Sequence, residues 1–429
     1  MSYTIHTSTL FDPKKKKFVS EVSITVEPIT GTIIKVYERT EKLEEVPEGD
    51  VDLREKVVMP GFVEAHSHIF LHDYDERASV NQKRDESVVE RIIRASNHCR
   101  TALLAGYTTY RDLGSESMGN SDASMRDAIN RGLMPGPRLF VATKALASTG
   151  SYEPRTESEH TCLPSGADCV DGAGGARLAV RRRIAAGADV IKYFADYRRR
   201  VMRFPPTQQH PYINDIAHLP EDPNPDVLVF AQEEVNMIIK EARLAKAPVA
   251  CHAGTIEGAM MAVEAGVNTL EHCYFANAEL FEAMVSKNVI FVPTLSVCEK
   301  LHSKRYPEIK AQTKLAYDLG VRFACGADIG PVSHGKSARE MELMIEAGIP
   351  LEDVLEACSV GGWESCGGDL CGVKFGWFEP GLRADIIALD KDPREDIHAL
   401  RNVSFVMKDA RIWKQDGKAV GMVQDSYTW

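Results

Sequence analysis

Val57-Val58-Met59-Pro60-Gly61-Phe62-Val63-Glu64-Ala65-His66-Ser67-His68 is an apolar run that closes on two histidines separated by one residue. A run of this kind reads as a buried strand, and side chains two apart on a strand point to the same side of it. Two imidazoles on one face can hold one metal. A satisfied structural pair of core histidines is the competing reading, and the rest of the chain decides between them.

Outward from this stretch a pattern repeats, in which an amphipathic helix ends at glycine and an apolar strand begins a few residues later. Leu104-Ala105-Gly106 precedes Thr108-Thr109-Tyr110, Ala186-Gly187 precedes Val190-Ile191, Ala265-Gly266 precedes Thr269-Leu270, and Leu319-Gly320 precedes Phe323-Ala324. Glycine just past a helix end adopts the left-handed cap, so each pair marks a helix-to-strand junction. Pro137-Arg138-Leu139-Phe140-Val141, Ala247-Pro248-Val249-Ala250 and Val289-Ile290-Phe291-Val292 open three further strands without that glycine. With the opening strand this makes eight, each followed by a helical pattern such as residues 233–245, where Val235, Ile238, Ile239 and Ala242 share a face. Strands alternating with helices demand a parallel sheet. The fold class is therefore α/β, a (β/α)8 TIM-type barrel over residues 57–374. Residues 1–56 and 375–429 read instead as short alternating strands, and folding both ends together as one small β-sandwich is the simplest arrangement. Two connections, about 148–172 and 196–227, are long enough to be binding loops on the catalytic face of the barrel.

Of 429 residues, 44% are hydrophobic, enough for one large core and a smaller second unit. The formal charge of −11, from 51 basic and 62 acidic residues, argues against nucleic acid or an anionic membrane as partner. No signal-peptide pattern and no membrane-spanning apolar run is present, which predicts a cytoplasmic protein. Cys99, Cys251, Cys273, Cys298, Cys325 and Cys358 fall in apolar patterns and read as reduced core thiols. Cys162 and Cys169 lie in a polar loop where a disulfide is disfavoured.

Polar residues interrupt the apolar strands near their C-terminal ends: His66 and His68, Lys192, His252, His272 and Asp328. Each alone has an ordinary explanation as a loop cap or a snorkelling side chain. Together at one rim they are nitrogen and carboxylate donors for zinc or a similar divalent ion. The segments PGFVEAHSH (60–68), TTYRDLGS (108–115), GADVIKYFADYR (187–198), CHAG (251–254), TLEHC (269–273) and GADIG (326–330) resemble, in order and rough spacing, those of the amidohydrolase superfamily. They look most like its imidazolonepropionase-related branch, which holds Xaa-Pro and Xaa-Arg dipeptidases and ochratoxinase-type amidases. GLRADIIALDKDP (381–393) resembles the return segment of that family.

The resemblance implies two divalent metals, zinc being the expected ion. His66, His68 and Asp328 would hold one and His252 and His272 the other, with Lys192 bridging them as a carbamate formed from carbon dioxide or bicarbonate. The chemistry agrees, because an ammonium among dications is repelled whereas a carbamate is an anion with two oxygens. A structural pairing of Lys192 with Asp196 is the alternative. Two such metals can share a water, lower its pKa and polarise a scissile carbonyl, with Asp328 as general base and then acid. The expected reaction is hydrolysis of the amide of a dipeptide or an N-acyl amino acid, ochratoxin-like amides included, by an enzyme that forms a homo-oligomer.

For the substrate, Tyr197 and Arg198 follow the lysine, where a guanidinium suits a carboxylate. Tyr193 and Tyr197 are candidates to orient the carbonyl, and His334 lies where family members place a substrate-facing histidine. Arg199 and Arg200 read as solvated, and Arg111 with Asp112 as a buried structural pair. The chain departs from its relatives at Glu64, where aspartate is common. It departs again at Ser148-Thr149-Gly150-Ser151-Tyr152-Glu153-Pro154, which lacks their histidine, with His160 a candidate replacement. A mononuclear deaminase would carry a glutamate where Thr255 stands. A cyclic-amide hydrolase fits the long loops less well, and a catalytically dead scaffold should have lost a ligand.

Overall fold

The computed structural model describes residues 2–149, 151–152, 156–158, 161–162, 165–198 and 226–422. The opening stretch is two strands rather than one, Val57–Pro60 and Phe62–Ser67, broken at Gly61. A Cβ at Gly61 would collide with the Thr108 side chain, so only glycine lets the chain pass this close to the neighbouring strand. Val57–Pro60 pairs in parallel with Tyr3–Asp12 on one edge and antiparallel with Ile386–Leu389 on the other. It thereby joins both chain ends in a single nine-stranded sheet, where the sequence suggested a sandwich. That sheet bends back on itself, for Ile33 N donates to Leu382 O at 2.8 Å and Gly381 N to Ile33 O at 2.8 Å. Ile5, Ile24, Phe375 and Phe405 fill its interior.

The rest is a mixed α/β fold of parallel strands and helices. Phe62–Ser67, Tyr107–Asp112 and Arg138–Val141 form a three-stranded parallel sheet. A seven-stranded sheet follows in the order Ala167–Cys169, Ala145–Ala147, Ile191–Phe194, Val249–Ala253, Thr269–His272, Ile290–Val292 and Arg322–Phe323. The ladder expected to be one closed eight-stranded sheet is thus assigned as two. The third strand breaks at Thr143, whose left-handed φ of 60° separates Arg138–Val141 from Ala145–Ala147. At the other seam the last ladder is only two residues long. Hydrogen bonds still span both seams, among them Asp189 N to Val141 O at 2.8 Å, Ala65 N to Cys325 O at 2.9 Å, and Ile329 N to His66 O at 3.0 Å.

The helix-to-strand junctions fall as the glycines indicate, with Gly106, Gly187, Gly266 and Gly320 all at positive φ. Helix Gln232–Leu244 buries Val235, Ile238, Ile239 and Ala242, the face read from its period. The six cysteines read as core thiols are buried and free.

Arg138 ties the parallel strands to the terminal sheet. Its Nη1 donates to Asp385 Oδ2 at 2.7 Å and its Nη2 to Asp409 Oδ1 at 2.6 Å. The Asp385 side chain is 2% exposed. Arg138→Ala strands that carboxylate without its cation, and a loss of roughly 3–5 kcal/mol is expected because an unpaired buried charge costs more than the pair contributes. Denaturant unfolding checks it, and an unchanged midpoint would mean that Asp385 recruits another partner.

Candidate metal centre

Strand ends deliver the donors, and several depart from ordinary backbone to do so. His272, Cys273, Thr294 and Asp328 all have φ between 51° and 73°. For residues other than glycine such conformations cost on the order of 1–3 kcal/mol each and persist where packing enforces them, commonly at functional sites. Here they turn His272, at the end of Thr269–His272, and Asp328, in the segment that follows Arg322–Phe323, towards His66 and His68.

Ligand atoms of His66, His68 and Asp328 lie within 4.8 Å of one another. Asp328 Oδ1 is 3.6 Å from His66 Nε2 and 3.4 Å from His68 Nε2. The imidazoles continue as a chain, with ring centroids 4.9 Å apart for His66 and His272 and 4.6 Å apart for His272 and His252. Outer nitrogens are engaged elsewhere: His66 Nδ1 with Glu271 Oε2 at 2.8 Å, His68 Nδ1 with Gly114 O at 3.1 Å, and His272 Nδ1 with Thr294 Oγ1 at 2.8 Å. Nε2 is left as the ligating nitrogen of each.

Burial pulls the His66 pKa down to about 4, with the Lys192 charge acting the same way, and puts His252 and His272 well below the ordinary value. Neutral imidazole is the ligand form. His68 moves the other way. Burial lowers it, but the Asp328 and Glu116 carboxylates outweigh burial and raise it to about 9. Asp328 falls to about 2, because His66, His68 and Lys192 overcome the upward push of burial.

Lys192 stands on Ile191–Phe194, 2% exposed, and burial lowers its pKa from that of a free lysine. Its Nζ has no hydrogen-bond partner among the described residues, and neither has Asp328 Oδ1. Buried polar atoms are nearly always paired. An unpartnered lysine whose charge acts on His66, His252 and His272, with a carboxylate between His66 and His68, fits a group that binds cations. The alternative partner is engaged elsewhere: Asp196 accepts from Gly254 N at 2.7 Å, Thr255 N at 2.9 Å and Thr255 Oγ1 at 2.7 Å. Thr255 in turn caps helix Ile256–Ala265 by accepting from Gly258 N.

The other expected residues divide. Tyr197 is partly buried, 6.3 Å from the His252 ring. Tyr193 is not at the cluster; adjacent to Lys192 on a strand, it points to the opposite face and is buried near Phe230. His334 stacks on His98 at 4.0 Å, and its Nε2 meets Leu71 O at 3.0 Å, behind the segment that follows His68. Arg111 does not pair with Asp112, since neighbours on a strand face opposite ways. It pairs with Glu271 at 2.9 Å, while Asp112 Oδ1 accepts from Ile69 N at 2.7 Å. Glu64 accepts from His66 N and Ala327 N, bracing two ligand strands. The Arg198 side chain, Arg199, Arg200 and His160 lie outside the described residues.

Sequence reasoning missed a second layer. Glu116 lies 3.6 Å from His68 Nδ1, pairs with Lys83 at 2.6 Å and accepts from Tyr152 at 2.9 Å. Tyr152 stacks on Phe194 at 4.2 Å, and Phe194 lies 4.8 Å from His252. Glu271, an acid inside an apolar strand, was a visible signal; Glu116, in a polar loop, gave none.

Imidazoles, a carboxylate and a buried lysine on and just beyond parallel strands are the donor set of a metal-assisted hydrolase. The chain belongs to the amidohydrolase family, whose model matches residues 57–420, and it is a hydrolytic enzyme of the amidase type. Ochratoxinase of Aspergillus niger is 29% identical over 412 residues, which cover 85% of this chain and 77% of that protein. A crystal structure of a Xaa-Pro dipeptidase with methionine bound in its active site superposes with a TM-score of 0.79 at 28% identity, covering 96% of this chain and 100% of that one. The crystal structure of A. niger ochratoxinase, at a TM-score of 0.78 and 24% identity over 96% of each chain, shares the fold. Among the described residues no helix is long and apolar enough to cross a membrane.

Proposed function

We propose that this amidohydrolase is a binuclear enzyme that cleaves the amide bond of a dipeptide or an N-acyl amino acid. The observation that carries the reading is the unpartnered Nζ of Lys192, buried where its charge acts on His66, His252, His272 and Asp328. Burial lowers the Lys192 pKa, which raises the share of neutral amine that can add to carbon dioxide, forming an N–C bond and releasing one proton. As a carbamate, Lys192 would bridge one ion held by His66, His68 and Asp328 and another held by His252 and His272. Divalent ions there, zinc by expectation, would polarise a carbonyl and acidify water. Asp328 takes the proton from the attacking water and returns it to the leaving amine. Tyr197, partly exposed near His252, contacts the substrate, with Arg198 as partner for its carboxylate. The amino acid in the active site of the dipeptidase relative supports a substrate with an amino-acid leaving group.

The same reading takes the two parallel sheets as one (β/α)8 barrel interrupted at Thr143, with the terminal sheet as a separate unit. It includes a cytoplasmic homo-oligomer. Val88, Val89, Ile92 and Ile93, 39–66% exposed on one face of helix Val88–Leu104, support self-association.

The test is the metal-to-protein ratio of purified enzyme, taken with a screen of N-acyl amino acids and of Xaa-Pro, Xaa-Arg and Xaa-Phe dipeptides. About two metals per chain with amide hydrolysis is expected. One metal with ammonia release would replace the reading with a deaminase. No metal and no turnover after reconstitution with zinc and bicarbonate would leave a scaffold.

A further inference from the structure

We propose that the Arg111–Glu271 pair is a positioning device for His66, holding the proton on its Nδ1 so that Nε2 faces the cluster as a lone-pair donor. The proposal rests on the metal reading above. Arg111 and Glu271 are both 0% exposed. Glu271 Oε2 lies 2.8 Å from His66 Nδ1, and Oε1 accepts from Arg111 Nη2 at 2.9 Å and from Thr269 Oγ1 at 2.5 Å. Arg111 is itself fixed: Nε donates to Ala65 O at 2.6 Å, and Nη1 to Thr269 Oγ1 at 2.9 Å and Ser365 O at 3.1 Å. The carboxylate therefore has one orientation.

An ionised carboxylate only accepts, so the hydrogen bond to His66 requires Nδ1 to donate. Glu271 is ion-paired at 2.9 Å with the always-charged guanidinium of Arg111, both side chains being fully buried, and a carboxyl in that pairing is the ionised acceptor. His68 and His272 have neutral hydrogen-bond partners on Nδ1, a carbonyl and a hydroxyl. Of these three, His66 is the one backed by a hydrogen-bonded charge, which makes an imidazole a stronger donor. Arg111, Glu271 and His66 come from three strands, two in the three-stranded sheet and one in the seven-stranded sheet. The triad thus links the two sheets at the depth of the cluster.

Glu271→Gln keeps the shape and changes the donor pattern. Its amide oxygen satisfies Arg111, which turns the NH2 towards His66 Nδ1. That nitrogen must then accept, and the proton moves to Nε2. Histidine side-chain 15N–1H NMR on the metal-free protein is expected to show Nδ1–H at His66 in the wild type and Nε2–H in Glu271→Gln. Zinc affinity, read by competition with a chromophoric chelator, is expected to fall roughly 10- to 100-fold. Glu271→Asp keeps the charge beside Arg111 and withdraws it from His66, so it should also lose affinity while remaining folded. An Nε2–H tautomer in the wild type, or zinc affinity within about twofold of wild type in either folded variant, would overturn the proposal. The wild-type tautomer decides even where Glu271→Gln does not fold. If the wild type binds no zinc, the metal reading fails while the tautomer still judges the positioning claim. A merely structural pair would lower thermal stability and leave the tautomer unmoved.

Discussion

The Lys192→Ala enzyme is expected to stay folded, lose metal, and turn over roughly 1,000-fold more slowly or worse, a deficit of about 4 kcal/mol in transition-state stabilisation. Stability should change little, since the substitution removes a buried amine with no partner rather than one member of a pair. The metal loss follows from charge. With Lys192 gone, His66, His252 and His272 are neutral donors, His68 must first give up the proton that the Asp328 and Glu116 carboxylates hold on it, and Asp328 is the remaining anion among the proposed ligands. Two dications that close need a bridging anion to offset their repulsion. A short carboxylic acid can enter the space of the deleted stem, so added acetate or propionate together with zinc should restore part of both metal content and rate. The wild type gives the complementary result: stripped of metal in bicarbonate-free buffer, it should regain activity faster when zinc and bicarbonate are supplied together than with zinc alone. Full activity and two metals in Lys192→Ala would remove the bridge from the mechanism and return Lys192 to a packing role.

What could be read from the sequence was what depends on local chemistry. Glycine just past a helix end meets a local capping requirement, so Gly106, Gly187, Gly266 and Gly320 marked their junctions correctly. The ligand candidates stood out because a histidine, lysine or aspartate inside an apolar strand carries a desolvation cost that needs a reason. Contacts between distant strands were not legible. Arg111 meets Glu271 across 160 residues, and nothing near Arg111 in sequence announces it. The break at Thr143 depends on a backbone turn that a threonine does not advertise. Val57–Pro60 goes to the terminal sheet because Tyr3–Asp12 and Ile386–Leu389 lie on either side, which an apolar run cannot reveal. Tyr193 is different, because strand alternation places it opposite Lys192 and its direction was already available. His334 read as substrate-facing from the resemblance, while its stacking on His98 is a tertiary fact.

Asp328→Asn separates binding from chemistry, and the two should respond differently. Asn matches Asp in shape and can adopt the left-handed backbone that position 328 requires, so the fold and the turn at φ 56° should survive. His66, His68, His252, His272 and Lys192 are untouched, so most of the metal should remain. What disappears is a proton acceptor. The carboxyl of Asp328, held to about 2 against the upward push of burial by His66, His68 and Lys192, is ionised throughout the neutral range, whereas a neutral amide takes up no proton there. Loss of a positioned general base costs about 10²- to 10⁴-fold in rate, and kcat should carry that loss with KM little changed. A variant that loses metal in proportion to activity would make Asp328 a ligand alone. A variant that stays active would place the base elsewhere. Glu116, 3.6 Å from His68 but tied to Lys83 and Tyr152, is the next carboxylate to replace, and its engagement by both is the reason to expect Asp328 instead.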